Sequence, residues 1–307
     1  MRVKHPELKF PANSTGDLIL GRAGLVKPRR KKRRTPADGQ PFSDCTAVNQ
    51  CWSVDFKGDF AMGNKRRCYP LTVTDNYSRY ILLCQGVSRP SRAAVFPHFE
   101  RLFRELGLPW SIRSDNGSPF ASRALGGLSA LSKWWVDLGI RPERIEPGEP
   151  QQNGRHERMH RSLKDYLKRL DKIEANLEKQ QQRFDEFRKE FNEFRSHESL
   201  GDEVPASFYQ PSLRIYPTRI ESYDYNEAAS LRKVKRSGEI KWQGRRFYVS
   251  QVLAGEHIAL IPYADGVWEM YYRFHLLGQM LDRERKIQPV TQWHKQQMCK
   301  PCARVKM

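Results

Sequence analysis

No apolar run in the 307 residues approaches the length needed to cross a bilayer, and no hydrophobic leader core opens the chain. Those absences predict a cytoplasmic chain with no membrane partner. Six cysteines occur, at 45, 51, 68, 84, 299 and 302, without the spacing of a disulfide framework. Cys68 and Cys84 stand in apolar strand patterns and read as reduced core residues. Cys299 and Cys302, with His294 nearby, offer three zinc-type donors where a structural site uses four, so a loose tail is the simpler reading. Acidic residues are also in short supply: 35 Asp and Glu face 54 Lys and Arg, for a formal charge of +19. A surplus of that size points to a polyanionic partner, nucleic acid first.

Gly and Pro are missing between Gly154 and Gly201. Together with the turn signal at Asn153-Gly154, that predicts a helix beginning there. Glu157 falls on its first turns, where the helix dipole favours an ionised carboxylate. His160, Arg161 and Lys164 follow at +3, +4 and +7 and share its face. In isolation such a stripe reads as an ordinary surface ion-pair ladder, so it needs partners. Upstream, Trp52-Ser-Val-Asp55-Phe-Lys-Gly58 alternates like a strand with an acid in its middle, and Trp110-Ser-Ile-Arg-Ser-Asp115-Asn-Gly117 is a short strand ending at an acid and a tight turn. Asp55, Asp115 and Glu157, from two strands and a helix, can converge on divalent cations, which prefer oxygen ligands. Two such metals can activate a hydroxyl and steady the leaving oxygen of a phosphodiester. Asp59 and Asp75 compete for the first position, but Asp75 lies in a turn where Asp commonly binds backbone. Asp55 sits in an apolar strand, where an unpaired acid is costly unless something binds it. Glu143, Glu146 and Glu149 precede the helix and are weaker rivals to Glu157.

Taken together, WSVDF, SDNGSPF and PQQNGRHERMHRSLK resemble the integrase core of bacterial insertion-sequence transposases, relatives of the retroviral integrases. The resemblance implies an α/β, RNase H-like fold: a mixed-sheet core with helices on both faces. It implies an Asp-Asp-Glu triad at Asp55, Asp115 and Glu157 holding two Mg2+ ions, with Mn2+ able to substitute. Lys164 matches the basic residue that such enzymes carry seven positions after the Glu, and with Arg161 it would hold the DNA backbone. Asn116, in the DNG turn, and Gln152, in the QNG approach, would orient the DNA or the triad. The implied activity is cleavage of transposon ends and strand transfer into target DNA by a homo-oligomer assembled on DNA, in a bacterial cytoplasm at the nucleoid. The alternative is a non-catalytic, truncated DNA-binding remnant that competes with a full-length transposase. One departure is the spacing: 41 residues separate Asp115 from Glu157, several more than usual in the family. The surplus is expected in Ala124–Lys133, a Gly/Ser-rich extension that costs little closure entropy.

Residues 1–26 carry a helix signal, capped at Ser14 and stopped at Gly24, that resembles the last helix of a helix-turn-helix unit. The expectation is a remnant whose preceding part is missing. Residues 27–48 are a basic linker in which Arg29, Arg30, Lys31, Lys32, Arg33 and Arg34 either neutralise phosphates or form a solvated tether. The integrase-like core spans 49–200. It has expected strands at 52–57, 67–74 and 80–87, a helix from the cap Ser91 to Leu106, a helix through Trp134-Trp135-Val136 and a strand near Ile145. From Arg158 to Phe194 the apolar spacing predicts one long helix, or two broken around Gln180–Gln182. Short strands at 239–242, 246–250, 257–261 and 267–272 predict a small β-barrel over 201–286, similar to the SH3-like domain attached to many such transposases. Lys233, Lys235, Arg236, Arg245 and Arg246 either meet DNA there or form a solvated edge. Residues 287–307 read as a basic tail.

Overall fold

The computed structural model describes residues 45–145, 153–170 and 173–289, with residues 15, 19, 20 and 22–24 nearer the start. The chain divides into two compact units, 1–34 and 35–307. In the first, Thr15, Ile19, Leu20 and Arg22 have helical backbone, and the Ala23 N–H donates to the Ile19 carbonyl at 3.0 Å before the turn at Gly24. Ser14 and the cations at 29–34 lie outside the described residues, as do Gln152, His294, Cys299 and Cys302.

The second unit is built on a sheet of β1 (Cys51–Phe56), β3 (Arg67–Asp75), β4 (Ile81–Val87), β5 (Ser111–Ser114) and β6 (Arg141–Arg144). Their order is β4-β3-β1-β5-β6, and the short β2 (Phe60–Ala61) pairs with the start of β3. The first three strands are antiparallel neighbours joined by turns, whereas β5 and β6 run parallel to β1. Parallel neighbours need crossovers, and α1 (Arg92–Leu106) and α2 (Ala130–Asp137) supply them. Helix α1 starts as its sequence predicts, with the Ser91 hydroxyl accepting from the Ala94 N–H. Alternation along β3 divides the core in two. Leu71 and Val73 pack with Trp52, Val54, Phe99 and Trp135 on one face. Cys68 joins Met159, Leu163, Phe184 and Phe187 on the other, beneath α3 (Gly154–Arg169) and α4 (Leu177–Lys189). This is the mixed sheet with helices on both faces that the sequence predicts. Among the described residues no helix is long and apolar enough to cross a membrane.

The helix break falls elsewhere than expected. Helix α3 ends at Arg169 and α4 begins at Leu177, so Gln180–Gln182 lie inside a helix. No Gly or Pro marks the stop. The restart is set by Asn176, whose side chain accepts from the Lys179 N–H. Within α4, Gln181 covers the outer edge of β4: its amide donates to the Cys84 carbonyl (2.9 Å) and accepts from the Gly86 N–H (2.9 Å).

Seven strands follow: β7 (Ser230–Lys233), β8 (Glu239–Trp242), β9 (Arg245–Tyr248), β10 (His257–Ala264), β11 (Val267–Tyr272), β12 (His275–Leu281) and β13 (Lys286–Pro289). They form a five-stranded sheet, β13-β12-β11-β10-β7, and a separate β8-β9 hairpin around a shared apolar core. The domain is therefore barrel-like without closing into a barrel. The strand β13 also corrects the expectation that a tail starts at 287. Strand β12 escapes a period-two reading because nearly all its residues are buried, so its sequence does not alternate.

The Gly-rich segment 124–133 has a defined job. Gly126, at φ +67°, lies so close to Leu277 that a Cβ there would meet its Cδ2 at 2.7 Å. His275 donates from Nε2 to the Gly126 carbonyl (2.9 Å), and Leu128 and Val136 sit in the core of the C-terminal strands. Residues 124–133 are thus the ledge on which that sheet docks. Burial pushes His275 down to about 4. An unfolded histidine takes up its proton near pH 6.5, roughly. Between those values the unfolded chain binds more protons, so this stability is complete above about pH 6.5 and drains as pH falls toward 4. Denaturant midpoints measured from pH 7.5 to 4.5 should fall, and His275→Gln, which keeps a donor for Gly126, should make the decline shallower.

Candidate active site

Asp55 belongs to the face of β1 opposite Trp52 and Val54, next to Thr72 in the antiparallel register. On its other side, Val54 pairs with Ser114 in the parallel register. The next residue on each strand is an acid, so Asp55 and Asp115 leave the sheet at the same rim. Asp115 closes a tight turn by accepting from the Gly117 N–H at 3.1 Å.

Helix α3 is fastened across β3 by a polar seam. The Thr72 hydroxyl lies 2.8 Å from His156 Nε2 and 2.7 Å from His160 Nε2, and the Thr74 hydroxyl lies 2.8 Å from His156 Nδ1. One assignment satisfies every contact. Thr72 donates to the Asp55 carbonyl (3.0 Å) and accepts from both Nε2–H groups, while Thr74 donates to His156. Burial first, then the neighbouring His160, drives His156 well below its ordinary value, and burial with Lys57 brings His160 to about 3. Both rings are neutral at neutral pH. His160 Nδ1 lies 3.8 Å from an Asp55 carboxylate oxygen. His160 therefore faces the sheet and the acid, not the solvent stripe that its spacing from Glu157 suggests.

Glu157 lies in the first turn of α3 and is exposed. Asp55 is pushed up to about 7, chiefly by burial and next by the charge of Asp115; the Phe56 N–H and Lys57 pull it back, and Glu157 adds to the rise. Asp115 is raised by burial, against its bond from Gly117. These acids are short of positive charge, and carboxylate oxygens are the hard donors that magnesium takes. As the side chains stand, no three His, Cys, Asp or Glu among the described residues are gathered closely enough to hold a metal ion. The Asp55–Asp115 rim fits a hard cation, with Glu157 beside it acting on Asp55 by charge.

The rival acids already have partners. Glu143 is buried and receives Arg113 through Nε (3.1 Å) and Nη2 (3.0 Å). Asp75 accepts from the Asn49 N–H (2.8 Å) and from the N–H and hydroxyl of Ser78 (both 2.7 Å). Asp59 pairs with Arg67, while Glu146 and Glu149 lie outside the described residues. Asn116 ties strand ends together, donating to the Ile145 carbonyl at 2.6 Å. Lys164 and Arg161 are both exposed but divide across α3: Lys164 borders a hollow with Lys57 and Lys168, and Arg161 borders a different cleft. Sequence reasoning missed His156, Thr72, Thr74 and Lys57. The signal was present as two threonines alternating with Leu71 and Val73, and as histidines four apart on a helix.

Two outcomes follow from this geometry. In metal-free buffer, Asp55→Asn should raise unfolding free energy at pH 8 by about 2 kcal/mol. The gain over the parent should grow as pH climbs from 5 to 8, because a raised carboxyl binds its proton more tightly folded than unfolded; calorimetric scans would register both effects. Thr72→Val should cost about 1–3 kcal/mol in urea unfolding, since it strands two buried imidazoles.

The comparisons bear on the same residues. Residues 46–150 and 138–205 match two family descriptions of an integrase core domain, and residues 229–288 match the C-terminal domain of IS481 family transposases. The 39.2 kDa protein of insertion element IS476 from Xanthomonas euvesicatoria is 31% identical over 186 residues, covering 60% of this chain and 51% of that protein. The 31.7 kDa protein of insertion element IS407 from Burkholderia multivorans is 30% identical over 196 residues, covering 61% and 65% respectively. The chain thus spans about half to two thirds of the length of these relatives. Among solved structures, the HTLV-2 integrase catalytic core domain in complex with magnesium aligns at 16% identity over 54% of this chain and 99% of that one, with a TM-score of 0.42. A simian T-cell lymphotropic virus intasome, in complex with a PP2A regulatory subunit, aligns at 16% identity over 86% and 90%, with a TM-score of 0.47.

Proposed function

We propose, from the premise that this chain is an insertion-sequence transposase with an integrase-type core, that it cleaves transposon ends and joins them to target DNA by metal-dependent polynucleotidyl transfer. The observation that carries the reading is the shared rim of Asp55 and Asp115 on adjacent parallel strands, with Glu157 on the helix beside them. Those three acids would hold Mg2+, two ions in all, with Mn2+ as a substitute. When bound, the metal supplies a nucleophilic hydroxyl at neutral pH and Lewis-acid stabilisation of the phosphodiester.

The chain's own residues set the reaction's geometry. The seam of Thr72, Thr74, His156 and His160 fixes the roll of α3 over β3 and so the place of Glu157 relative to Asp55. Lys57 and Lys164, on the walls of one hollow, hold a strand backbone next to the acids. Such phosphate contacts position DNA without reading its sequence. The run from Arg29 to Arg34 adds salt-sensitive affinity along the backbone, and the working form is a homo-oligomer on DNA at the nucleoid. Residues 1–26, 27–48, 49–200 and 201–289 serve as helix-turn-helix remnant, linker, catalytic core and C-terminal β domain.

Asp55→Asn, Asp115→Asn and Glu157→Gln are each expected to lower Mg2+-dependent end cleavage and strand transfer by about a thousandfold or more, or about 4 kcal/mol of transition-state stabilisation. Far-UV circular dichroism should remain that of the parent. The assay uses duplexes ending in the inverted repeats that flank the coding frame, and full activity in all three variants would refute the assignment.

A further inference from the structure

On the flank of α3 away from the Lys57–Lys164 hollow, between the helix and the segment Phe191–Ser199, lies an open cleft of about 420 Å3. Arg79, Arg155, Arg158, Arg161 and Arg195 line it. None of the five forms an ion pair among the described residues. Two acids also border the cleft. The carboxylate of Asp75 accepts from Asn49 and Ser78 and still offsets part of the charge of Arg79, so Asp75 and the exposed Asp165 stand against five guanidinium groups.

Two of the cations are drawn together by one backbone carbonyl. Arg79 and Arg155 both donate to the Asn76 carbonyl, the latter at 2.8 Å. Burial, followed by repulsion from Arg155 and Arg158, brings Arg79 down to about 10. Like charges gathered around the partly buried Arg79 repel one another and are relieved by an anion. Guanidinium forks suit phosphate oxygens in particular, binding them in pairs. The α3 wall from Arg155 to Asp165 is about 15 Å long at the helical rise of roughly 1.5 Å per residue. That length suits several phosphates of a strand rather than one small anion. The mechanism above uses none of these arginines.

We propose that this cleft binds the phosphodiester backbone of a duplex DNA segment separate from the strand held at Asp55. Helix α3 then divides two DNA surfaces, the Lys57–Lys164 hollow on one side and the arginine cleft on the other. The proposal rests on the reading that this chain acts on DNA, but its test needs no catalysis.

The full chain is titrated against a fluorescein-labelled 30-base-pair duplex of arbitrary sequence, in EDTA, at several salt concentrations. Arg158→Gln/Arg195→Gln alters two exposed side chains and should raise Kd about tenfold at 100 mM salt. The slope of log K against log salt should shrink by about 2, since each lost phosphate contact removes roughly 0.9. Adding Arg79→Gln should extend the trend. An unchanged slope and Kd in the double variant overturns the proposal. So does displacement of the duplex by poly-glutamate as readily as by unlabelled duplex, which would assign the cleft to an acidic protein segment. If end cleavage fails while the slope change holds, the cleft stands and the catalytic reading falls; the converse sinks only the cleft.

Discussion

The seam between Thr72 and Thr74 on one side and His156 and His160 on the other is the contact on which the acid rim depends. Apolar packing of Met159, Leu163 and Tyr166 presses α3 onto the sheet, but apolar contact is non-directional and would tolerate a rotated helix. Hydrogen bonds of 2.7–2.8 Å to two ring nitrogens and a third across the ring do not. The roll they impose settles which residues of α3 face outward. Glu157 comes near enough to act on Asp55 by charge and Lys164 lies over the Lys57 hollow, while Arg155 and Arg158 go to the opposite flank. Both imidazoles stay uncharged because a cation in that buried seam would lose its hydration without a full counter-charge.

A second constraint ties the C-terminal strands to the same rim. The chain leaves Asp115, turns through Gly117 and reaches the ledge at Leu125–Gly127 before α2 begins. Besides the apolar contact of Leu277 and Leu128 with this region, a polar network holds the end of α2. Lys133 bridges Asp137 (2.9 Å) and Glu256 (2.6 Å), and Arg273 reaches Asp137 at 3.3 Å. Tyr272 donates to the same carboxylate. Several partly buried charges sharing one acid hold better than isolated surface pairs. Movement of the C-terminal sheet would therefore pull on the connection that starts at Asp115.

Local chemistry made much of this legible beforehand. An acid in an apolar strand, an acid before Asn-Gly and a Ser cap each have short-range causes, and Asp55, Asp115 and Ser91 occupy those positions. Asp75 likewise does what a turn aspartate does. Other features left no local trace. The restart at Asn176 lacks the Gly or Pro that usually marks a stop, and β12 has no alternation because both its faces are covered. His160 follows Glu157 by three residues, a spacing that suits either a shared face or adjacent ones, and only the hydroxyl of Thr72 pulls it inward.

Strand identity, an acid in the first strand and another before the Asn-Gly turn, the basic surplus and the amphipathic helix after Gly154 were determined by the sequence alone, because each depends on neighbours within a few positions. The roll of α3, the use of 124–133 as a docking ledge and the gathering of Arg79 with Arg155, Arg158 and Arg195 were decided by tertiary structure. Those features join residues far apart along the chain, and the energies that select them are hydrogen bonds and contacts that exist only once the sheet has brought the partners together.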